Sequence, residues 1–272
     1  MFAIDKITDK EYFKRGDIWG GFAPAIESGK DLVVSASLLK SIFSTNLYHK
    51  LVSEKEEITP ELQTIFDVGS AFHCYVLERR DFDERYQVTD DLADHRTLIS
   101  KDSFEFIKKS EQNVFAKYPE MLDQEFCELA IFGELDGVKV KCKIDKMNIK
   151  YDEMGGYKHI DIVDLKSVYY KPFAKKKSAN GDRYELRREL SSMGYDLQAY
   201  FYKLLVEKWC DSLGMFPTIN FVLLTASRED CSVQKFTIGD EMMASGESKF
   251  DSVWSQVVSF VNDGTVEKEE IL

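Results

Sequence analysis

The sequence predicts an α/β protein, with a mixed central sheet of about five strands flanked by helices and preceded by a mostly helical N-terminal part. Three observations carry this. Residues 124–133 and 137–149 alternate with a period of two on either side of the turn Glu134-Leu-Asp-Gly137. Residues 60–80 and 188–210 instead repeat their apolar side chains at helical spacing. Between these blocks, His159-Ile-Asp-Ile-Val-Asp-Leu-Lys-Ser-Val168 reads as a buried strand that nonetheless carries an acid and a base.

Taken in order, residues 1–31 offer a short helix over 9–15 and a loop at Gly20-Gly21. Val34-Ser-Ala-Ser-Leu-Leu-Lys-Ser-Ile-Phe43 predicts a helix capped by Ser35 or Ser37, with Leu38, Leu39, Ile42 and Phe43 as its apolar face and a helical, partly basic continuation over 46–50. Thr59-Pro60 starts the next helix: Thr caps it, and Pro sits at the first helical position, where its missing N–H costs nothing. Gly69 stands one turn before His73 on that helix, leaving bare backbone beside the imidazole. Spacing alone reads His73 as a hydrogen-bonded core histidine. A further helix is expected over 103–117, then the two antiparallel strands. In the second, Val138, Val140, Cys142 and Ile144 form the core face, so Lys139, Lys141, Lys143 and Asp145 line the other.

In the strand 159–168, Asp164 and Lys166 share a face with Ile160 and Ile162, while Val163 and Leu165 point the other way. Directly after it, residues 170–190 hold Lys171, Lys175, Lys176, Lys177, Arg183, Arg187 and Arg188 against three acids. This is the clearest basic patch in the chain, and equally the composition of a solvated loop. A long helix over 188–210 follows, on which Gln198 and Tyr202 share a face, then strands over 218–226 and 232–238, a closing helix over 240–260 and a polar tail. No repeat or linker divides the chain. A single domain is expected over 1–272, with a helical part to residue 120, the catalytic sheet and helix over 121–240, and a C-terminal helix and tail beyond.

The net charge of −12 argues against a protein that coats nucleic acid by bulk positive charge, while leaving room for a local basic groove. The five cysteines, at 74, 127, 142, 210 and 231, are widely spaced with no Cys-x-x-Cys pair, as expected of reduced thiols in the cytosol. No run of about 18 apolar residues would span a membrane, and no signal pattern opens the chain. A soluble cytoplasmic protein with no membrane partner is expected.

Buried charges need partners or a metal. His73, Glu128, Asp145, Asp164 and Lys166 come from a helix and from strands that can adjoin, and hard oxygen donors with open water positions suit Mg²⁺, or Mn²⁺ given the imidazole. Such an ion can activate a water against a phosphodiester, with Lys166 beside that water.

In their order, Gly-Ser-Ala-Phe-His73, Glu128, Lys-Cys-Lys-Ile-Asp145, Ile-Val-Asp164-Leu-Lys166 and Gln198-x-x-x-Tyr202 resemble the PD-(D/E)xK nuclease superfamily, over roughly residues 34–225. Within it the chain is similar to the RecE-type phage recombination exonucleases, relatives of lambda exonuclease and of the RecB nuclease core. The resemblance implies a restriction-endonuclease-like core, with His73, Asp145, Asp164 and the Leu165 carbonyl as metal ligands, Glu128 serving a second ion or its waters, and Lys166 catalytic. It also implies that Gln198 and Tyr202 line the DNA side. The implied activity is 5′-to-3′ digestion of linear double-stranded DNA ends, with a single-strand annealing protein as partner, a ring-shaped homo-oligomer, and a phage or prophage origin. An endonuclease or single-strand nuclease on the same core, and an inactive DNA-end-binding protein, are the alternatives. Asp145 and Asp164 lie 19 residues apart, so the hairpin between them must bulge or extend. Some RecB-like relatives hold an iron–sulfur cluster on four grouped cysteines; Cys210 and Cys231 alone in the C-terminal part predict none.

Overall fold

The computed structural model describes residues 2–6, 32–45, 58–89, 96–123, 125–168 and 190–263. The predicted helix over 9–15, the continuation over 46–50, the basic segment 170–189 and the polar tail lie outside them.

Among the described residues the sheet has seven strands where about five are predicted. β1 (Ala3–Lys6) and β2 (Val33–Val34) are the additions. They are too short to show a period, and each is a strand by virtue of a distant partner: β1 pairs antiparallel with β5 (Cys127–Leu135), and β2 pairs parallel with β6 (Val138–Tyr151). The N-terminal part is therefore helical with two strands lent to the central sheet. Two further short strands, β3 (Tyr86–Val88) and β4 (Thr97–Ile99), pair with each other as a separate ladder.

The remaining order is β6, β7 (Tyr157–Val168), β8 (Thr218–Ser227) and β9 (Val233–Thr237), with β7 and β8 parallel and the other neighbours antiparallel. The 19-residue separation of Asp145 and Asp164 is taken up by lengthening: β6 and β7 run on, with β8 beside β7 as far as His159, to a turn at Asp152–Gly156, with a register shift at Lys150/Tyr151.

The helices form where local signals put them. α1 (Ala36–Thr45) is entered through Ser35, whose hydroxyl accepts the Leu38 N–H at 3.4 Å. α2 (Pro60–Leu77) has Thr59 as its cap, accepting the Leu62 N–H at 3.3 Å. α3 (Lys101–Lys117) is capped by Ser100. The long helix expected over 188–210 is interrupted: α4 (Tyr195–Ser212) begins after Gly194, whose φ of 68° cannot continue a right-handed helix. α5 (Asp240–Asp263) closes the fold.

Strand alternation then divides most of the buried apolar side chains into two large clusters on opposite faces. Ile160 and Ile162 of β7 join Val138, Val140, Cys142 and Ile144 of β6 under α1, α4 and α5. Val163 and Leu165 face the other way, with Phe72 and Val76 of α2 and Ile107 and Val114 of α3. Among the described residues no helix is long and apolar enough to cross a membrane.

Candidate active site

β6 changes neighbours along its length. It pairs with β2 at Lys139–Val140 and with β7 only from Lys146 onward. The strands fork between these points, and Asp145 sits at the fork. Its Oδ2 accepts the peptide N–H of Leu165 at 2.6 Å, taking the place that a β6 carbonyl would fill in a continued ladder. The C=O of a strand residue points to the same side as its N–H, so the Leu165 carbonyl faces this fork as well.

On the other edge of β6, the β5 ladder runs through Cys127↔Lys146 and Leu129↔Ile144 and steps over Glu128 and Asp145. Glu128 takes a left-handed backbone, φ 56°, a conformation that costs a non-glycine residue about 1 kcal/mol or more. It carries the Glu128 carboxylate out of the alternation and toward α2. There His73 Nδ1 lies 3.5 Å from Asp145 Oδ2, and ligand atoms of His73, Glu128 and Asp145 all lie within 4.8 Å of one another. Lys143 forms an ion pair with Glu128.

Asp164 stands outside that group of three. It is 2 % exposed, and its Oδ1 accepts from Gln198 Nε2 of α4 at 2.7 Å and from Lys166 Nζ at 3.0 Å. Its Oδ2 is 2.8 Å from the same ammonium, yet no donor is aligned on it. Lys40 of α1 donates to Gln198 Oε1 at 2.7 Å and lies 5.2 Å from the centre of the Tyr195 ring.

The charges are strongly interdependent. Burial pushes Glu128 up, and the neighbouring Asp145 carboxylate adds to this, reaching about 7 in spite of Lys143. Burial would also raise Asp145, but His73 and then Lys166 overcome it and hold it near 2. His73 moves the opposite way from what burial dictates, upward, because of Asp145. Burial raises Asp164, with Lys166 opposing. For Lys166, burial is outweighed by Asp164 and Asp145, so the amine is held above the ordinary lysine value and stays charged. Burial and then Lys166 pull Lys40 down to about 8.

A cleft of about 630 Å³ opens over this constellation, reached by His73, Glu128, Lys143, Asp145 and Lys166. The structure thus gathers His73, Glu128, Asp145, Leu165 and Lys166 at one fork and joins Asp164 to them through Lys166. Gln198 reaches Asp164, whereas Tyr202 packs edge-on against Phe221, their ring centres 6.1 Å apart, beside the apolar core. The sequence does not single out Lys40 or Tyr195, and it leaves the row of lysines that includes Lys143 as either a solvated edge or the lip of an anion-binding cleft. The lysines alternate or recur like solvated ones, and only tertiary packing turns them inward.

One imidazole nitrogen, the buried Glu128 carboxylate, the half-buried Asp145 carboxylate and the Asp164 oxygen without an aligned donor form a donor set that fits a hard divalent cation. His73, Glu128 and Asp145 would hold it, with Asp164 and the Leu165 carbonyl adjoining.

Comparison with known proteins bears on the fold and the family. A crystal structure from Eubacterium rectale, described as that of a candidate exonuclease, superposes with a TM-score of 0.59 at 17% identity, covering 98% of this chain and 91% of that one. At that identity the likeness concerns the fold. No curated protein matches the chain. Residues 35–268 match the family described as PDDEXK-like domain of unknown function (DUF3799). The chain belongs to that PDDEXK-like family, which places it, with its forked mixed sheet and its acid-x-lysine strand, among the PD-(D/E)xK nucleases.

Proposed function

We propose that this nuclease is a Mg²⁺-dependent exodeoxyribonuclease that digests linear double-stranded DNA from its ends, 5′ to 3′, leaving 3′ single strands for recombination by annealing. The observation that carries the reading is the convergence of His73, Glu128 and Asp145 within 4.8 Å beside the Lys166–Asp164 pair. A divalent cation bound there, Mg²⁺ or Mn²⁺, would supply Lewis acidity at the phosphodiester and lower the pKa of an attacking water.

The chain's own groups divide the remaining work. Lys166, kept charged by Asp164 and Asp145, cannot accept a proton; it serves as a donor that orients the water and offsets charge on the phosphate. Asp145 is fixed by the Leu165 N–H, so its second oxygen is aimed rather than free to rotate. Glu128, whose proton affinity reaches the neutral range without a cation, would be ionised by one. Lys143 and Lys166 bring positive charge to a cleft in a chain of net charge −12, a local balance suited to a phosphate. The basic segment of Lys171, Lys175, Lys176, Lys177, Arg183, Arg187 and Arg188 would hold flanking phosphates without reading sequence. The ring-shaped homo-oligomer and the annealing partner belong to the same reading through the family resemblance.

The test sets end-labelled linear duplex beside a closed circle, with Mg²⁺ and then with EDTA. Stepwise release of labelled 5′ mononucleotides from the linear DNA alone, abolished by EDTA, is expected. Cutting of the circle would replace the exonuclease with an endonuclease, and activity that survives chelation would remove the metal from the proposal.

A further inference from the structure

We infer that Lys40 is a positioning residue which, through Gln198, fixes the rotation of the Asp164 carboxylate, with Oδ1 tied down by an aligned donor and Oδ2 held beside the Lys166 ammonium. The inference rests on the nuclease reading and adds a residue to it.

The argument is one of donors and acceptors. An ammonium can only donate and a carboxylate can only accept, whereas a glutamine amide has one end of each kind. Gln198 lies between the two, receiving from Lys40 Nζ at 2.7 Å on Oε1 and giving from Nε2 to Asp164 Oδ1 at 2.7 Å. The flipped amide would set like against like at both ends. With both ends engaged, the buried side chain of Gln198 has one allowed orientation, and Asp164 Oδ1 receives a donor of fixed direction. The Lys166 ammonium spans the carboxylate, 3.0 Å from Oδ1 and 2.8 Å from Oδ2, with its hydrogen bond aligned on Oδ1, so Oδ2 is the buried atom with no aligned donor.

Lys40 is itself seated by the backbone rather than placed by chance on a helix surface. At Gly194 a Cβ would come within 2.9 Å of Lys40 Cδ and 3.0 Å of Cγ. The glycine that interrupts the helix before α4 thereby also clears the passage through which the lysine stem reaches Gln198. Tyr195, the next residue, lies beside the ammonium. One local feature, the break at Gly194, gives both the start of the helix that carries Gln198 and the room for Lys40.

The test uses the full chain with Lys40→Met, which keeps the stem and removes the donor, Lys40→Arg, which keeps a donor, and Gln198→Ala. Two readouts are needed. In metal-free ¹⁵N-labelled protein, the Gln198 side-chain NH₂ signals, assigned by their loss in Gln198→Ala, should lose their protection from solvent exchange in Lys40→Met and keep it in Lys40→Arg. In end-labelled DNA digestion, kcat should fall about tenfold in Lys40→Met, as expected for one lost positioning interaction, with KM little changed. The double variant Lys40→Met/Gln198→Ala should be no slower than the slower single one. Multiplying single effects, or Gln198 signals indifferent to Lys40, would overturn the inference. A raised KM with a shallower salt dependence would do so too, by making Lys40 a direct phosphate contact. If no variant, nor the wild type, cuts DNA, the nuclease reading fails, while the exchange measurement still decides whether Lys40 holds Gln198.

Discussion

Glu128 and Asp145 stand opposite each other at the step where the β5–β6 ladder lapses, and the left-handed backbone of Glu128 turns its carboxylate toward that of Asp145. Two acids are thus held together inside the protein at the expense of both backbone geometry and charge repulsion. Such strain persists only where the surrounding structure fixes it, and it gathers at functional sites.

Glu128→Gln should therefore separate stability from activity. The folded-state pKa of Glu128 is raised, so its contribution is fully present below the ordinary glutamate value and is lost as pH climbs toward about 7. In EDTA the variant should be more stable than wild type at pH 8, by about 1–3 kcal/mol, with the difference closing at acid pH. With Mg²⁺, cleavage should fall by about tenfold or more. Melting temperatures across pH check the first part, and a variant less stable at pH 8 would refute it.

Divalent cations should stabilise the wild type. At about a hundredfold excess over Kd, the gain is about 2.7 kcal/mol if the unfolded chain does not bind, a rise of about 2–4 °C per kcal/mol for a chain of this size. Asp145→Asn and His73→Ala should lose that rise in differential scanning fluorimetry with Mn²⁺ or Mg²⁺. An undiminished rise in both variants would move the metal elsewhere.

Lys166→Met leaves the buried carboxylate of Asp164 without its cation, which should cost about 3 kcal/mol in denaturant unfolding. Cleavage should drop by about 10²–10³, the cost of removing one donor to developing charge. Adding Asp164→Asn should restore much of the stability and none of the activity. A double variant as unstable as Lys166→Met would mean that the pair is not what couples them.

A further buried carboxylate, outside the group that would hold the cation, gives a control on charge burial. Asp196, in the first turn of α4, accepts from Ser191 and Ser245 at 2.7 Å each and pairs with Lys249 of α5 at 2.8 Å. Although burial opposes it, the bond from Lys249 and those from the serines hold its carboxyl below the ordinary value. Its stabilisation is present above the ordinary aspartate pKa and is lost as pH falls through the lowered one. Asp196→Asn should cost about 3 kcal/mol at pH 7, and the gap to wild type should narrow in acid unfolding, below the ordinary aspartate range. A gap independent of pH would show that packing, not charge, is lost.

Much of this was legible in the sequence because the signals are local. Thr59-Pro60 starts α2 by capping chemistry alone, and alternation put Asp164 on the face of Ile162. What escaped depends on distant partners. β1 and β2 are strands only because β5 and β6 accept them. The helix break follows from a backbone angle at Gly194 that no periodicity reveals. Lys40 looks like any exposed helix lysine until α4 covers it.

The two apolar clusters lie on opposite faces of the sheet, and the candidate site draws on both. His73 comes with α2 from one face, and Gln198 with Lys40 comes from the other. A ligand seated at the fork would act as a rivet through the sheet, since neither helical layer could loosen without releasing it. Its binding energy would then appear as slowed hydrogen exchange in α2 and α4 together, two helices on opposite sides of the sheet.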